Sequence, residues 1–593
     1  MKFFKTFLAC LLAVIAASAI SSFLWMSILI GMLGSMEGGM TTIEEGSVLE
    51  IDLAEAITDS PSTDPLAGLD LMSMEAMPQL SLMEVMRALE AAATDDRIKG
   101  IYLRLNGMGG AMTGTATLEE LRNEIIEFKK SGKFVVAYNE NYSQGAYYLA
   151  SVADKIYIEP KGGMDWSGLS ASLMFYKGLL DKLDLKVEVF RPSSCKFKSA
   201  VEPYILKEMS PANKAQMQQM VDSYWKTIQQ AVAEARGISI EEQNRIADNL
   251  EVTLASEAVA HGFVDAAIYE DQMNEIFTEL GVTVTDEGYN SVSLGDYAAQ
   301  MGLNVDNLSA SQVAIVYAEG DIVDGEGTGP HIYGNTLAAK IREVRLDEDV
   351  KSVVLRVNSP GGSALASDVV WREMELLKAE KPVVVSMGSY AASGGYYISC
   401  PADVIVANEM TLTGSIGVFG MMLNTRDALQ NKLGVTIDGV KTNTSSGMGT
   451  LAPLTKVERA AVMRGVDRVY ETFTGHVSKG RNLPIERVLE IAEGRVWTGV
   501  DAQQIGLVDG IGGLRMAIAL AADKAGLGED YAVVEKLETP TGLAAFFAAF
   551  SGQVKASWEA SELGVMVREY RELQEALSQQ GIVMYLPYKV TIE

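Results

Sequence analysis

The feature that most constrains this chain is that it contains the same unit twice. Ile101-Tyr-Leu-Arg-Leu-Asn106 reads like Val353-Val-Leu-Arg-Val-Asn358, and Lys133-Phe-Val-Val-Ala137 reads like Lys381-Pro-Val-Val-Val385. Gln144-Gly-Ala-Tyr-Tyr148 answers Ser393-Gly-Gly-Tyr-Tyr397, and Gly262-Phe-Val-Asp265 answers Gly506-Leu-Val-Asp509. The order is kept and the offset stays near 250 throughout. A long-period repeat of this kind requires two related bodies built on one plan.

Within each copy, short β-branched runs alternate with helical stretches. Residues 353–357 form a near-continuous apolar run and are expected to be a buried strand. Residues 364–380 carry apolar positions at helical spacing and end in Lys-Pro, 383–387 are the next strand, and a helix opens at Ser393. Strand–helix–strand order implies parallel strands with right-handed crossovers, so the fold class is α/β. The expected division is an anchor at 1–46, a first copy at 47–305, a second copy at 306–535 and an extension at 536–593. The polar, turn-rich stretch 283–312 reads as the linker between copies.

Composition narrows the function. A net charge of −29, from 49 basic and 78 acidic residues, argues against nucleic acid as a partner, because phosphate contact needs clustered Lys and Arg. The three cysteines, Cys10, Cys195 and Cys400, have no zinc-binding spacing, and the latter two read as buried or free thiols. No metal or other cofactor is expected. Lys2 and Lys5 precede an uncharged, apolar stretch over residues 6–36, longer than a bilayer requires. Glu37, Glu44 and Glu45 follow it. The charge asymmetry predicts a single pass with a short cytoplasmic segment and the bulk of the chain outside. Methionines 72, 74, 77, 83 and 86 form a further apolar cluster, expected to fill a core.

Three segments carry possible chemistry. Ser393 follows a strand and precedes Gly394-Gly395, so a substrate backbone can approach it closely. Asn358-Ser-Pro-Gly-Gly362 follows another strand, and free N–H groups in such a loop can hold an oxyanion. A serine nucleophile needs a base. The three histidines, His261, His331 and His476, accompany none of the repeated motifs. That leaves lysine, which must be buried or otherwise depressed in pKa to act as a neutral amine.

Four motifs in order give the chain a specific resemblance. Lys198-Ser-Ala-Val-Glu-Pro203, Asn358-Ser-Pro-Gly-Gly362, Ser393-Gly-Gly-Tyr-Tyr397 and Thr413-Gly-Ser-Ile-Gly417 together resemble the signal peptide peptidase A family in its long, two-copy bacterial form. Arg495-Val-Trp-Thr-Gly499 resembles that family's C-terminal signature. The resemblance implies two tandem Clp protease/crotonase-like βα superhelical domains behind a transmembrane helix. It implies Ser393 as nucleophile, Lys198 as general base, Ser415 as the residue that orients the lysine, and Gly361 and Gly394 as backbone oxyanion donors. It further implies apolar peptide substrates, namely signal peptides left in the inner membrane. It implies a homotetramer and a catalytic part on the periplasmic side.

The internal comparison divides the roles in the same way. Copy one has Gln144 opposite Ser393 and Trp166 opposite Ser415, whereas Met448 stands opposite Lys198. Neither copy alone holds both a serine and a lysine, so the reading requires the copies to meet. Lys196, beside Cys195, lacks the motif around Lys198. The alternatives are a crotonase-like enzyme acting on coenzyme A thioesters and a catalytically inactive membrane scaffold.

Overall fold

The computed structural model describes residues 42–53, 57–61, 79–105, 114–286, 288–301, 311–449, 451–537 and 581–585. The expected anchor over 6–36, the loop at Asn106–Gly110, methionines 72, 74 and 77 and most of the C-terminal extension lie outside these residues. Among the described residues no helix is long and apolar enough to cross a membrane.

Two parallel sheets account for the repeated motifs. In the first, six strands run in the order Ala266–Ala267, Lys155–Met164, Phe134–Tyr142, Ile98–Arg104, Ser47–Asp52 and Ser291–Ser293. All five pairings are parallel. In the second, Leu412–Gly414, Val383–Ala392, Val350–Ser359, Ser311–Glu319 and Tyr531–Glu535 are parallel neighbours. Val496–Thr498 closes one edge of it antiparallel. Helices cover the faces of both sheets, which is why the central strands are apolar on successive residues rather than on alternate ones. Ile101, Leu103, Val354 and Val384 are fully buried.

The repeat extends to individual side-chain ties. Tyr147 donates its hydroxyl to Phe263 O, and Tyr396 donates to Leu507 O. Asp154 accepts Val135 N–H where Asp403 accepts Val383 N–H, and Asp265 accepts Ile156 N–H where Asp509 accepts Ile405 N–H. Lys133 caps Ala92 O and Asp95 O, as Lys381 caps Val344 O and Asp347 O. Each tie satisfies a backbone group that would otherwise be left at a sheet or helix end.

The copies are packed into one body. The apolar core of the first runs without a break into Val313, Ile315, Val354, Val384, Leu412 and Leu514 of the second. The helix Thr115–Lys129 supplies polar clamps across the joint. Glu119 accepts the N–H groups of Glu409 and Met410, and burial pushes its carboxyl up to about 8. Glu120 accepts from Asn408 Nδ2 and Leu514 N and pairs with Arg356 at 2.8 Å. The expected linker is only partly a connector. Ser291–Ser293 within it adds an edge strand to the first sheet and Leu294–Gln300 is a helix, because Val292, Leu294 and Tyr297 supply apolar side chains that bury there.

A third sheet belongs to both copies and runs beside Ser393, its strand Gly361–Ser363 touching Gly394. Its order is His331–Tyr333, Asp321–Val323, Gly361–Ser363, Gly581–Tyr585, Phe419–Asn424 and Lys186–Phe190. The last of these comes from the first copy and pairs antiparallel with Phe419–Asn424 of the second, Phe190 opposite Gly420 and Lys186 opposite Asn424.

Candidate active site

The strand Lys186–Phe190 delivers the loop that follows it into the second copy. Cys195 N–H turns back onto Pro192 O, Phe197 N–H reaches Glu493 O, and Arg191 holds Lys198 O at 2.7 Å. The loop passes so close to Gly494 that a Cβ on that glycine would stand 2.6 Å from Lys198 Cβ and 2.8 Å from its nitrogen. Gly494 also has φ +75°, so two independent demands fix glycine there. Lys198 is 1% exposed, and its Nζ lies 2.7 Å from Ser393 Oγ, 2.9 Å from Ser415 Oγ and 3.0 Å from Ser415 O.

Burial drives the lysine's chemistry. Removal from water disfavours its ammonium form and pulls its pKa down from 10.5 to about 7. The same burial raises the neighbouring Cys195 thiol. Cys195 and Cys400 are both free and buried. Lys196, two residues from Lys198, points the other way, 58% exposed in an ion pair with Glu493.

Ser393 stands between the strand Val383–Ala392 and the helix Gly394–Ser399 with φ +57° and ψ −112°. Few L-residues adopt that conformation, and it costs about 1–3 kcal/mol. It is held by Ser393 N–H donating to Gly414 O at 2.8 Å. Gly414 and Ser415 themselves have φ +73° and +49°, which turns Ser415 O and Oγ together toward the amine.

Glycines frame the nucleophile side. Gly361 has φ +106°, and a Cβ there would meet Met584 O at 2.1 Å and Gly394 N at 2.7 Å. A Cβ on Gly394 would meet Ser367 Oγ at 2.8 Å and Gly361 Cα at 3.1 Å. The two backbone segments therefore touch beside Ser393. Gly361 N–H donates to Ser359 Oγ at 3.2 Å. Ser359 lies within the Asn358–Gly362 motif, which by itself marks no separate role for this serine, and Gly494 stands in no motif, since a lone glycine in a loop carries no pattern.

A peptide strand already runs through this place. Gly581–Tyr585 lies antiparallel between Gly361–Ser363 and Phe419–Met421, with Met584 opposite Gly362 and Val583 opposite both Ser363 and Phe419. Met584 is fully buried and Val583 nearly so. A cavity of about 570 Å³ lined by Gly362, Leu365, Tyr397, Val469 and Val583 opens alongside. The slot thus holds an extended segment of the chain's own by strand addition.

The corresponding place in the first copy is filled. Gln144 Oε1 accepts from Ser167 N and Gly168 N, while its amide nitrogen donates to Gly168 O. Trp166 is packed among Tyr147, Trp225 and Phe263. The histidines sit elsewhere: His261 near Glu251, His331 on an outer strand against Tyr333, and His476 stacked on Trp371 at 3.6 Å.

A serine hydroxyl against a buried amine, beside closely packed glycine amides, is suited to nucleophilic attack on a carbonyl. Comparison with known proteins points the same way. The family model described as Peptidase family S49 matches twice, over residues 127–282 and 375–528. Over 522 residues the chain is 37% identical to Protease 4 of Salmonella typhi, covering 86% of this chain and 83% of that one. It is 37% identical to Protease 4 of Haemophilus influenzae, with 79% and 77% covered. It is 33% identical to the chloroplastic serine protease SPPA of Arabidopsis thaliana, with 82% and 70% covered.

Proposed function

From the premise that this chain belongs to peptidase family S49 and is a serine peptidase, we propose that Ser393 is its nucleophile and Lys198 its general base. In this reading Ser415 orients the lysine, and the Gly361 and Gly394 amides hold the oxyanion. The observation that carries it is the 2.7 Å approach of buried Lys198 to Ser393, two residues from different copies of the repeat.

A neutral amine has two N–H groups and one lone pair. The two N–H groups go to Ser415 O and Ser415 Oγ, which leaves the lone pair facing Ser393 Oγ. The amine takes the hydroxyl proton as Oγ attacks the peptide carbonyl carbon. The oxyanion forms against the glycine amides. The lysine ammonium then protonates the leaving nitrogen, the C–N bond breaks, and an ester to Ser393 remains. Water attacks that ester, gives its proton to Lys198, and Ser393 recovers it. Protein groups supply every proton transfer, so the reading calls on no cofactor.

The substrate class in this reading is an extended apolar peptide, and signal peptides left in a membrane fit it. The occupied strand slot supports that class. The apolar stretch 6–36 anchors the chain in the inner membrane, with the catalytic part on the periplasmic side. Each copy forms a Clp/crotonase-like domain, bounded at 47–305 and 306–535, and the chains assemble as a homotetramer.

The test uses the full chain in detergent with an apolar fluorogenic peptide and a fluorophosphonate label. We expect hydrolysis, with the label on Ser393 by peptide mapping; turnover with the label on any other residue would sink the assignment. The pH profile is a second check. The base must be neutral, so kcat/KM should rise through a midpoint near 7 and level off on the alkaline side. A profile that is flat across that midpoint would remove Lys198 from the role.

A further inference from the structure

The strands that deliver the oxyanion loop and the nucleophile are not in continuous register. Val350–Ser359 and Val383–Ala392 pair in step from Val353 with Val383 to Val357 with Met387, then resume at Ser359 with Ala391. Asn358 alone stands opposite Gly388, Ser389 and Tyr390, so the extra residues bulge from the nucleophile strand just before Ser393, level with the entry to Ser359-Pro360-Gly361. Side chains fill the gap in the ladder. Asn358 Oδ1 accepts Tyr390 N–H at 3.1 Å, and Asn358 Nδ2 donates to Asp59 Oδ2.

Asp59 comes from the first copy. Its segment is pinned to the start of the helix Leu82–Thr94 by Thr58 N–H to Leu80 O and Leu82 N–H to Thr58 O. Its carboxylate is 2% exposed. Oδ1 accepts from Arg356 Nε at 2.9 Å and from the same guanidinium's second nitrogen at 2.5 Å. Arg356 in turn donates to Ser386 Oγ and pairs with Glu120. Gly388 leaves the room required: a Cβ there would stand 3.0 Å from Asn358 Cβ and 3.2 Å from Asp59 Oδ2.

We propose that Asp59 is a positioning residue for the Ser393 site, a carboxylate lent by the first copy that sets the register of the nucleophile strand against the oxyanion loop through Asn358. The proposal rests on the reading of Ser393 as nucleophile. The physical argument is that an amide side chain has two ends. Only when Asp59 takes the Nδ2 end is the Oδ1 end directed at Tyr390 N–H. Without that, the bulge is free to slide, and Ser393 shifts relative to the glycine amides. A displacement of about 1 Å between reacting groups costs on the order of 100-fold in rate. The first copy then contributes to catalysis twice, by the lysine and by this brace.

The experiment compares wild type, Asp59→Ala, Asn358→Ala and the double variant, using the full chain. It reads kcat, KM, thermal unfolding and the rate of Ser393 labelling by a fluorophosphonate. Asn358→Ala keeps the Asp59–Arg356 ion pair, so it tests the relay even if Asp59→Ala folds poorly. We expect each single variant to lower kcat by about 100-fold with KM within about twofold, as a positioning fault would. The double variant should be no slower than either single, since both break one relay. Asn358→Ala should unfold within a few degrees of wild type. A kcat within about twofold of wild type in folded Asn358→Ala, or losses that multiply in the double variant, would overturn the proposal. Failure of the reagent to label Ser393 in wild type would overturn the nucleophile assignment, and this proposal with it. Normal labelling of wild type alongside unchanged variants overturns the brace alone.

Discussion

Ser393→Ala should lose peptide hydrolysis by ~10⁴-fold or more while remaining folded. A nucleophile that acts as a unit with its base leaves only the contribution of binding and oxyanion stabilisation when removed. The fold should tolerate the change. The residue is buried, its main chain is held by Gly414 O, and alanine meets the same φ of +57° as serine. Ser393→Gly separates strain from chemistry. It should be equally inactive yet unfold at a higher temperature than Ser393→Ala, because glycine adopts that backbone region without the steric cost. Scanning calorimetry beside a peptide assay reads both. Residual turnover above a hundredth of wild type in Ser393→Ala would place the nucleophile elsewhere.

Lys198→Met should be as inactive, with a gain in stability that depends on pH. In the folded chain the amine gains its proton near 7, whereas in the unfolded chain it does so near 10.5. Between those values the unfolded chain binds more protons, so stability rises with pH across that window. The cost of the buried ammonium is complete below about 7 and amounts to something on the order of 5 kcal/mol. Methionine has similar reach and no charge to bury. Lys198→Met should therefore melt above wild type in mildly acidic buffer, and the gap should close as pH rises. Lys198→Arg completes the set. A guanidinium stays protonated and is no base, so this variant should be inactive although it keeps a cation in place. Activity in Lys198→Arg would reduce the lysine to an electrostatic role, and a gap that widens with pH would contradict its depressed pKa.

Much of this was legible in the sequence, for identifiable reasons. The duplication could be read because the parallel strands are buried on both faces and because the capping residues Lys133 and Lys381, Asp154 and Asp403, and Asp265 and Asp509 repeat with them. That the reading required Lys198 and Ser393 to meet across the copies followed from Gln144 standing opposite Ser393 and Met448 opposite Lys198. How they meet was not legible. The approach depends on one first-copy strand joining a second-copy sheet, and on Gly494 giving way to the lysine's backbone. Neither depends on hydrophobic period. Asp59 lies in a short polar stretch, Thr58-Asp59-Ser60-Pro61, that reads as an ordinary turn until Arg356 and Asn358 are seen against it. The expected linker misled because its polar residues outnumber the few apolar ones that make Ser291–Ser293 an edge strand.

The strand Gly581–Tyr585 lies in the slot proposed for the substrate, and on that reading it changes what an affinity measured on the whole chain means. A tethered occupant competes at a local concentration set by its connection to the protein, which dilution of the enzyme does not lower. If substrates use this slot, as proposed, an incoming peptide competes with Val583 and Met584, and its apparent KM reports a difference between two occupants. A segment that pairs and buries no better than the chain's own would bind with a raised apparent KM. On the proposed reading, the chain's own strand is then the reference against which any substrate segment is measured.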